Sequence, residues 1–139
     1  MLNTIPKKDI VLMLEAGYIY LAMGKFSESR AVFEGVSELA PHSDIPRVAV
    51  ANALFAQKKY APAIQELKEA IELNATSAFA YSHLGEALLF SGKKEEAIVA
   101  LNKAISLDAK GHSGLFAKNL LDLMKKGFDP VELKKQKVH

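Results

Sequence analysis

The sequence has no cysteine, which excludes disulfide scaffolds, thiol catalysis and the usual structural zinc sites in one step. An absent thiol fits either side of a membrane, so it assigns no redox compartment. No apolar run is long enough to span a bilayer. The longest, Ile10 to Met23, is interrupted by Glu15 and falls short of the roughly 20 residues a spanning helix needs. Lys7 and Lys8 before it give the outline of an export signal, but Gly24-Lys25 closes it without a small-x-small cleavage site, so it reads as a folded helix. On that reading the chain is expected to be cytoplasmic and the sequon Asn74-Ala75-Thr76 is incidental. A basic stripe interleaved with aromatics is also missing, which argues against nucleic acid. Neither a nucleic-acid nor a membrane partner is expected.

What is present has the balance of one compact domain: 139 residues, 50% apolar and 24% charged. A chain of this size can bury roughly two-thirds of the surface it exposes when unfolded, so it closes a core without metal or crosslink. The net charge of +2 is unevenly spread. Residues 1–109 hold 11 basic and 13 acidic side chains, whereas residues 110–139 hold seven Lys against Asp122, Asp129 and Glu132. Lys134, Lys135 and Lys137 read as a solubilising end.

A period of 34 residues organises the body. It aligns Gly17, Ala51 and Gly85 in one column of small residues and Ser29, Ala63 and Ala97 in another. Phe33, Leu67 and Leu101 share a column, as do Leu39, Leu73 and Leu107, and Tyr20, Leu54 and Leu88. Each copy contains two helical patterns around a turn, with Gly24, Lys58 and Gly92 placed where a left-handed residue ends a helix. The spacing predicts helices over 8–23, 27–39, 44–57, 61–73, 77–91 and 94–107, with Pro41 and Pro46 marking the first junction. A seventh helix over 112–126 ends the array, because Lys118, Asn119 and Asp122 occupy the slots a further helix would pack against. A short eighth starts from Asp129-Pro130-Val131-Glu132, which supplies an N-cap, an N1 proline and a capping-box Glu.

These columns resemble the tetratricopeptide repeat over residues 10–109: small residues near the middle of each first helix and early in each second, with an aromatic or Leu column between. Departures are mild. Met13, Arg47 and Tyr81 stand where the family has Trp, and only the first repeat ends on proline, at Pro41. The resemblance implies an all-α solenoid of a single domain, with repeats over 10–43, 44–77 and 78–111 and a capping helix and basic tail over 112–139.

Chemistry has little to rest on. His42-Ser43-Asp44 is consecutive in a connector and cannot converge as a triad. His83, His112 and His139 lack the paired spacing of a metal site. Gly111-His112-Ser113-Gly114 follows no strand and lacks the Lys-Ser/Thr of a phosphate loop. Neither enzyme activity nor cofactor nor metal is expected.

Function is expected instead on the concave surface, where a second apolar stripe of the first helices is left over after packing. Carried through the period, that stripe gives the columns Val11, Ile45 and Phe79; Leu14, Val48 and Ser82; Tyr18, Asn52 and Glu86; and Leu21, Phe55 and Leu89. His83 joins them, and Phe116, Leu120 and Leu123 extend three columns into the tail helix. An apolar groove of this kind marks a protein partner, either an apolar or amphipathic helix laid in it, the tail itself, or a second copy forming a homodimer. Co-chaperones of the tetratricopeptide class that clamp acidic C-termini use Lys, Arg and Asn at positions held here by Leu14, Tyr18, Ala49, Phe79 and His83, with only Asn52 fitting. In architecture the chain resembles the type III secretion chaperones of this class, which implies sequestration of a needle subunit or translocator, with a small helical co-chaperone covering part of the array. A general adaptor or scaffold subunit with a constitutive partner is the rival expectation.

Overall fold

A computed structural model describes residues 5–137, with side-chain surroundings to Gln136, so His139 and the Lys137 side chain lie outside the described residues. Eight helices follow one another: α1 (Lys7–Ala22), α2 (Phe26–Leu39), α3 (Asp44–Ala56), α4 (Tyr60–Leu73), α5 (Ala78–Phe90), α6 (Lys94–Leu107), α7 (His112–Lys125) and α8 (Pro130–Lys137). The helix bounds fall within one residue of those read from the period. Pro46 is the difference at the first junction: it lies in the first turn of α3, where a proline nitrogen forfeits no helical bond, and it is buried there.

Three hairpins, α1 with α2, α3 with α4 and α5 with α6, stack side by side, and each second helix also packs on the next first helix. The first helices form a continuous inner layer, since α3 touches both α1 and α5, and α5 touches α7. Each hairpin turn closes through a residue in the left-handed region, Gly24 (φ 76°), Lys58 (φ 62°) and Gly92 (φ 86°), and Gly127 (φ 97°) does the same after α7. Lys58 adopts the conformation its glycine counterparts take freely, held by bonds from Lys58 N to Phe55 O (2.8 Å) and Lys59 N to Leu54 O (2.9 Å).

The small-residue columns are the sites of closest approach. A Cβ at Gly17 would overlap the Phe33 ring, and one at Gly85 would sit 2.5 Å from Leu101 Cγ. Phe33 and Leu101 therefore fill the gaps left by Gly17 and Gly85, and Leu67 in the same column is equally buried. Full burial of side chains of this size is worth about 1.5–3 kcal/mol each. Ser29, in the other small column, is buried with its Oγ unpartnered. Between α3 and α4, Arg47 reaches both Glu66 (3.4 Å) and Glu69 (3.3 Å). Burial first, then the Glu69 charge, raises the Glu66 pKa despite Arg47.

The two ends of the stack differ. α7 buries Ala117 and Leu120 and exposes Lys118 and Asn119, a polar outer face that finishes the array. At the other end α1 leaves Leu12, Ile19 and Met23 more than half exposed on one helical stripe. Asp129 caps α8 by accepting from Val131 N (3.0 Å) and Glu132 N (3.2 Å). Glu132 does not complete a capping box; it pairs with Lys135 at 3.4 Å.

Candidate client-binding groove

The groove is built on the inner face of α1, α3, α5 and α7. In its outer column Val11 and Ile45 are 45% and 46% exposed, and Phe79 is half-buried beside His83. Leu14, Tyr18, Leu21 and Phe55 are half-buried and rest on the core. Tyr18 lays its ring on Phe33 (centroids 4.7 Å apart) and its hydroxyl accepts from Asn52 Nδ2 at 3.0 Å. Burial raises the Tyr18 pKa, and the Asn52 bond offsets this in part. The phenol therefore stays a neutral hydrogen-bonding group on the groove floor.

Val48 and Leu89 correct the sequence reading. Both are 0% exposed, so neither can present surface to a client, and Ser82 in the same set of columns is buried too. The cause is position in the stack. α3 and α5 have a first helix on either side, which covers the flank of their concave stripe, whereas α1 has a neighbour on one side only. Leu14 on α1 thus keeps accessible surface that its counterparts Val48 and Ser82 have lost, and Leu21 keeps what Leu89 has lost, whereas Phe55 on α3 stays half-buried.

Phe90 is a contributor the columns missed. Its ring meets Phe55 (5.0 Å), Tyr60 (6.2 Å) and Phe128 (6.2 Å), and Phe55 also meets Tyr60 at 5.3 Å. This aromatic ridge runs along the turn edge of the array. A signal for it existed, because Phe90 lies beside Leu89 in a column whose earlier members, Ala22 and Ala56, are too small to draw notice. Of the tail positions, Phe116 reaches the groove through His83 (5.4 Å), Leu120 is buried and Leu123 is 48% exposed.

The tail does not lie along these columns. Phe128 docks on Phe90, Val131 lies beside Gly92, and Asp129 pairs with Lys94, so α8 is seated against the α5–α6 turn. Among the described residues, no group of three or more His, Asp or Glu could hold a metal ion, and no helix is long and apolar enough to cross a membrane. The four groove columns carry Asn52, Ser82 and Glu86 as polar members, and Glu86 Oε1 lies 3.3 Å from His83 Nδ1.

Comparison with known proteins agrees with this geometry. Two tetratricopeptide-repeat descriptions match, one over residues 51–92 and the other over residues 11–43 and 80–110. No curated protein matches the sequence at a significant level. The fold is similar to that of the first such domain of Spaghetti (RPAP3) bound to the HSP90 peptide SRMEEVD, with TM-score 0.73 and 24% identity over 88% of this chain and 95% of that one. It is similar also to the Yersinia enterocolitica type III secretion translocator chaperone SycD, with TM-score 0.77 and 17% identity over 88% and 92% of the two chains. SycD in complex with a peptide of the translocator YopD gives TM-score 0.71 and 20% identity over 96% and 99%. At such identities the likeness establishes the fold. The repeat matches take in more than half of the 139 residues, and together with the stacked hairpins they show that the chain belongs to the tetratricopeptide-repeat family, as a protein-binding module.

Proposed function

We propose that this module acts as a chaperone, holding an apolar or amphipathic helix of a client protein in its concave groove until delivery. The observation that carries the reading is the groove itself: Leu14, Tyr18, Leu21, Phe55 and Phe79 offer partly exposed apolar surface on one continuous face. Burying such anchors withdraws the client's own apolar face from water and from self-association, which is the physical content of sequestration. Within this reading the client is a type III secretion needle subunit or translocator, the setting is the cytoplasm, and a small helical co-chaperone shares the array. Support for that finer form comes from the likeness to SycD, alone and with its YopD peptide.

An adaptor with a constitutive partner is the second reading, and the likeness to the RPAP3 domain with its HSP90 peptide favours it. The groove chemistry weighs against that particular peptide, whose two Glu and one Asp would meet Glu86 with no Lys or Arg in the groove columns. The test is capture of partners from the native lysate by the full chain and by a variant with Leu21 and Phe55 both replaced by Asp. Both positions keep accessible surface, unlike Val48. With helical content unchanged by circular dichroism, the variant is expected to lose at least about tenfold in capture, since each anchor is commonly worth about 2 kcal/mol. Undiminished capture by the variant, with loss on charge reversal of Lys134 and Lys135, would place binding on the basic tail instead. A short self-assembling helical protein among the captured partners distinguishes chaperone from adaptor.

A further inference from the structure

The groove has a charge signature that its apolar lining does not require. Five other carboxylates of the array are matched by Lys or Arg: Glu34 by Arg30, Glu66 and Glu69 by Arg47, Asp129 by Lys94, and Glu132 by Lys135. Glu86 is matched only by the His83 imidazole. Both side chains are drawn in from solvent, at 22% exposure each. An ionised carboxylate can only accept, so the Nδ1 facing it carries the hydrogen, and this bond fixes the imidazole plane. One oxygen, Oε1, is engaged, and Oε2 has no partner among the described residues.

The His83 ring is itself packed against two aromatic side chains. Phe79 meets the His83 ring edge-on at 5.1 Å, and Phe116 from α7 lies at 5.4 Å on a tilt of 33°. Carrying the concave positions of α5 through the 34-residue period brings no Lys or Arg onto this face. Its charged members are Glu86 and, on α1, the exposed Glu15. A partly buried carboxylate attracts a cation more strongly than one in open water, because the medium around it is less polar. The methylene stem of Lys or Arg would lie along the apolar lining at the same time.

We propose that Glu86, next to the cluster of His83, Phe79 and Phe116, is a subsite for a Lys or Arg side chain of the bound segment, so that the preferred occupant is an apolar-faced helix bearing a cation. This rests on the groove reading above and adds the charge of the client to it. It also separates the module from carboxylate-clamping relatives, since an acidic segment would bring like charge against two carboxylates.

The probe is a set of three synthetic amphipathic helices with one leucine face and two central polar-face positions occupied by Lys, Gln or Glu. Each is titrated against the full chain by fluorescence anisotropy. The Lys helix is expected to bind about fivefold tighter than the Gln helix, and the Glu helix to bind weakest. Glu86→Gln should cancel the advantage of Lys over Gln while leaving the Gln helix within about twofold of its parent affinity, the range of a lost surface charge. Glu72→Gln, at an exposed position on α4 outside the groove, should preserve the ranking. If the Gln helix binds and the Lys and Glu helices bind equally well, or if Glu86→Gln leaves the ranking intact, the subsite is refuted while the groove stands. Failure of all three helices to bind would overturn the groove reading and this inference with it.

Discussion

Gly17 and Gly85 set how near the paired helices come, because the Phe33 ring and the Leu101 side chain fill the volume that a Cβ would need. Replacing Gly85 by Leu is predicted to cost about 1–3 kcal/mol by overpacking, read as a lower thermal midpoint with the fold retained. Ser29 gives the opposite case. Its Oγ is buried without a partner in a column that elsewhere holds Ala63 and Ala97. Ser29→Ala removes an unsatisfied hydroxyl and leaves the backbone unchanged, so the midpoint should rise, by the equivalent of about 1 kcal/mol. A fall on calorimetry would mean that the hydroxyl has a partner. Both roles were legible in sequence, since small residues recurring every 34 positions mark contact whatever their chemistry. Val48 and Leu89 were not legible as core. Their columns are apolar for groove and core alike, and only the neighbouring first helices decide which member of a column is covered.

Among the elements, α8 depends most on a single surface contact. Asp129 both caps α8 and pairs with Lys94 at the start of α6. The Lys94 hydrogen bond holds the Asp129 carboxyl below its ordinary 3.8, and the same bond raises Lys94 above 10.5. The sign follows for each partner. The carboxylate's share of docking is present above the ordinary carboxylate range and is lost as pH falls through the depressed value. The ammonium's share is present below 10.5 and is lost as pH rises through the elevated one. The protection of the α8 amides, taken relative to the exchange rate of an unstructured chain at the same pH, is therefore predicted to fall at strong acid and strong alkali and to stay level across the neutral range. Lys94→Met should lower it at neutral pH without altering protection in α3 or α4. Level protection across the whole range would mean that Phe128 and Val131 hold α8 unaided. The cap at Asp129 was readable from Asp-Pro-Val-Glu, but the partner on α6 was not, because nothing in the sequence says which earlier turn the chain returns to. α1 shows a related gap. Its sequence shows one apolar stripe for packing and one for the concave face, yet as the first in the stack it also keeps Leu12, Ile19 and Met23 exposed. Glu at Leu12 and Ile19 should change stability by no more than about 0.5 kcal/mol, as surface substitutions do, and improve solubility.

At the scale of the whole molecule, close approach at the small columns stacks the hairpins, stacking aligns the first helices, and alignment leaves one apolar face without a partner in the chain. The tail is seated at the α5–α6 turn, so it caps the array and leaves the columns of α1 and α3 clear. The direct test of a client groove is to map binding onto that face. An isotopically labelled full chain would be titrated with a leucine-faced amphipathic helix while backbone and aromatic resonances are followed. The account predicts saturable shifts concentrated at Leu14, Tyr18, Leu21, Phe55, Phe79 and Phe116, with α2, α4 and α6 nearly silent. Shifts confined to the exposed stripe of α1 or to the basic end of α8, with the concave residues unmoved, would contradict it.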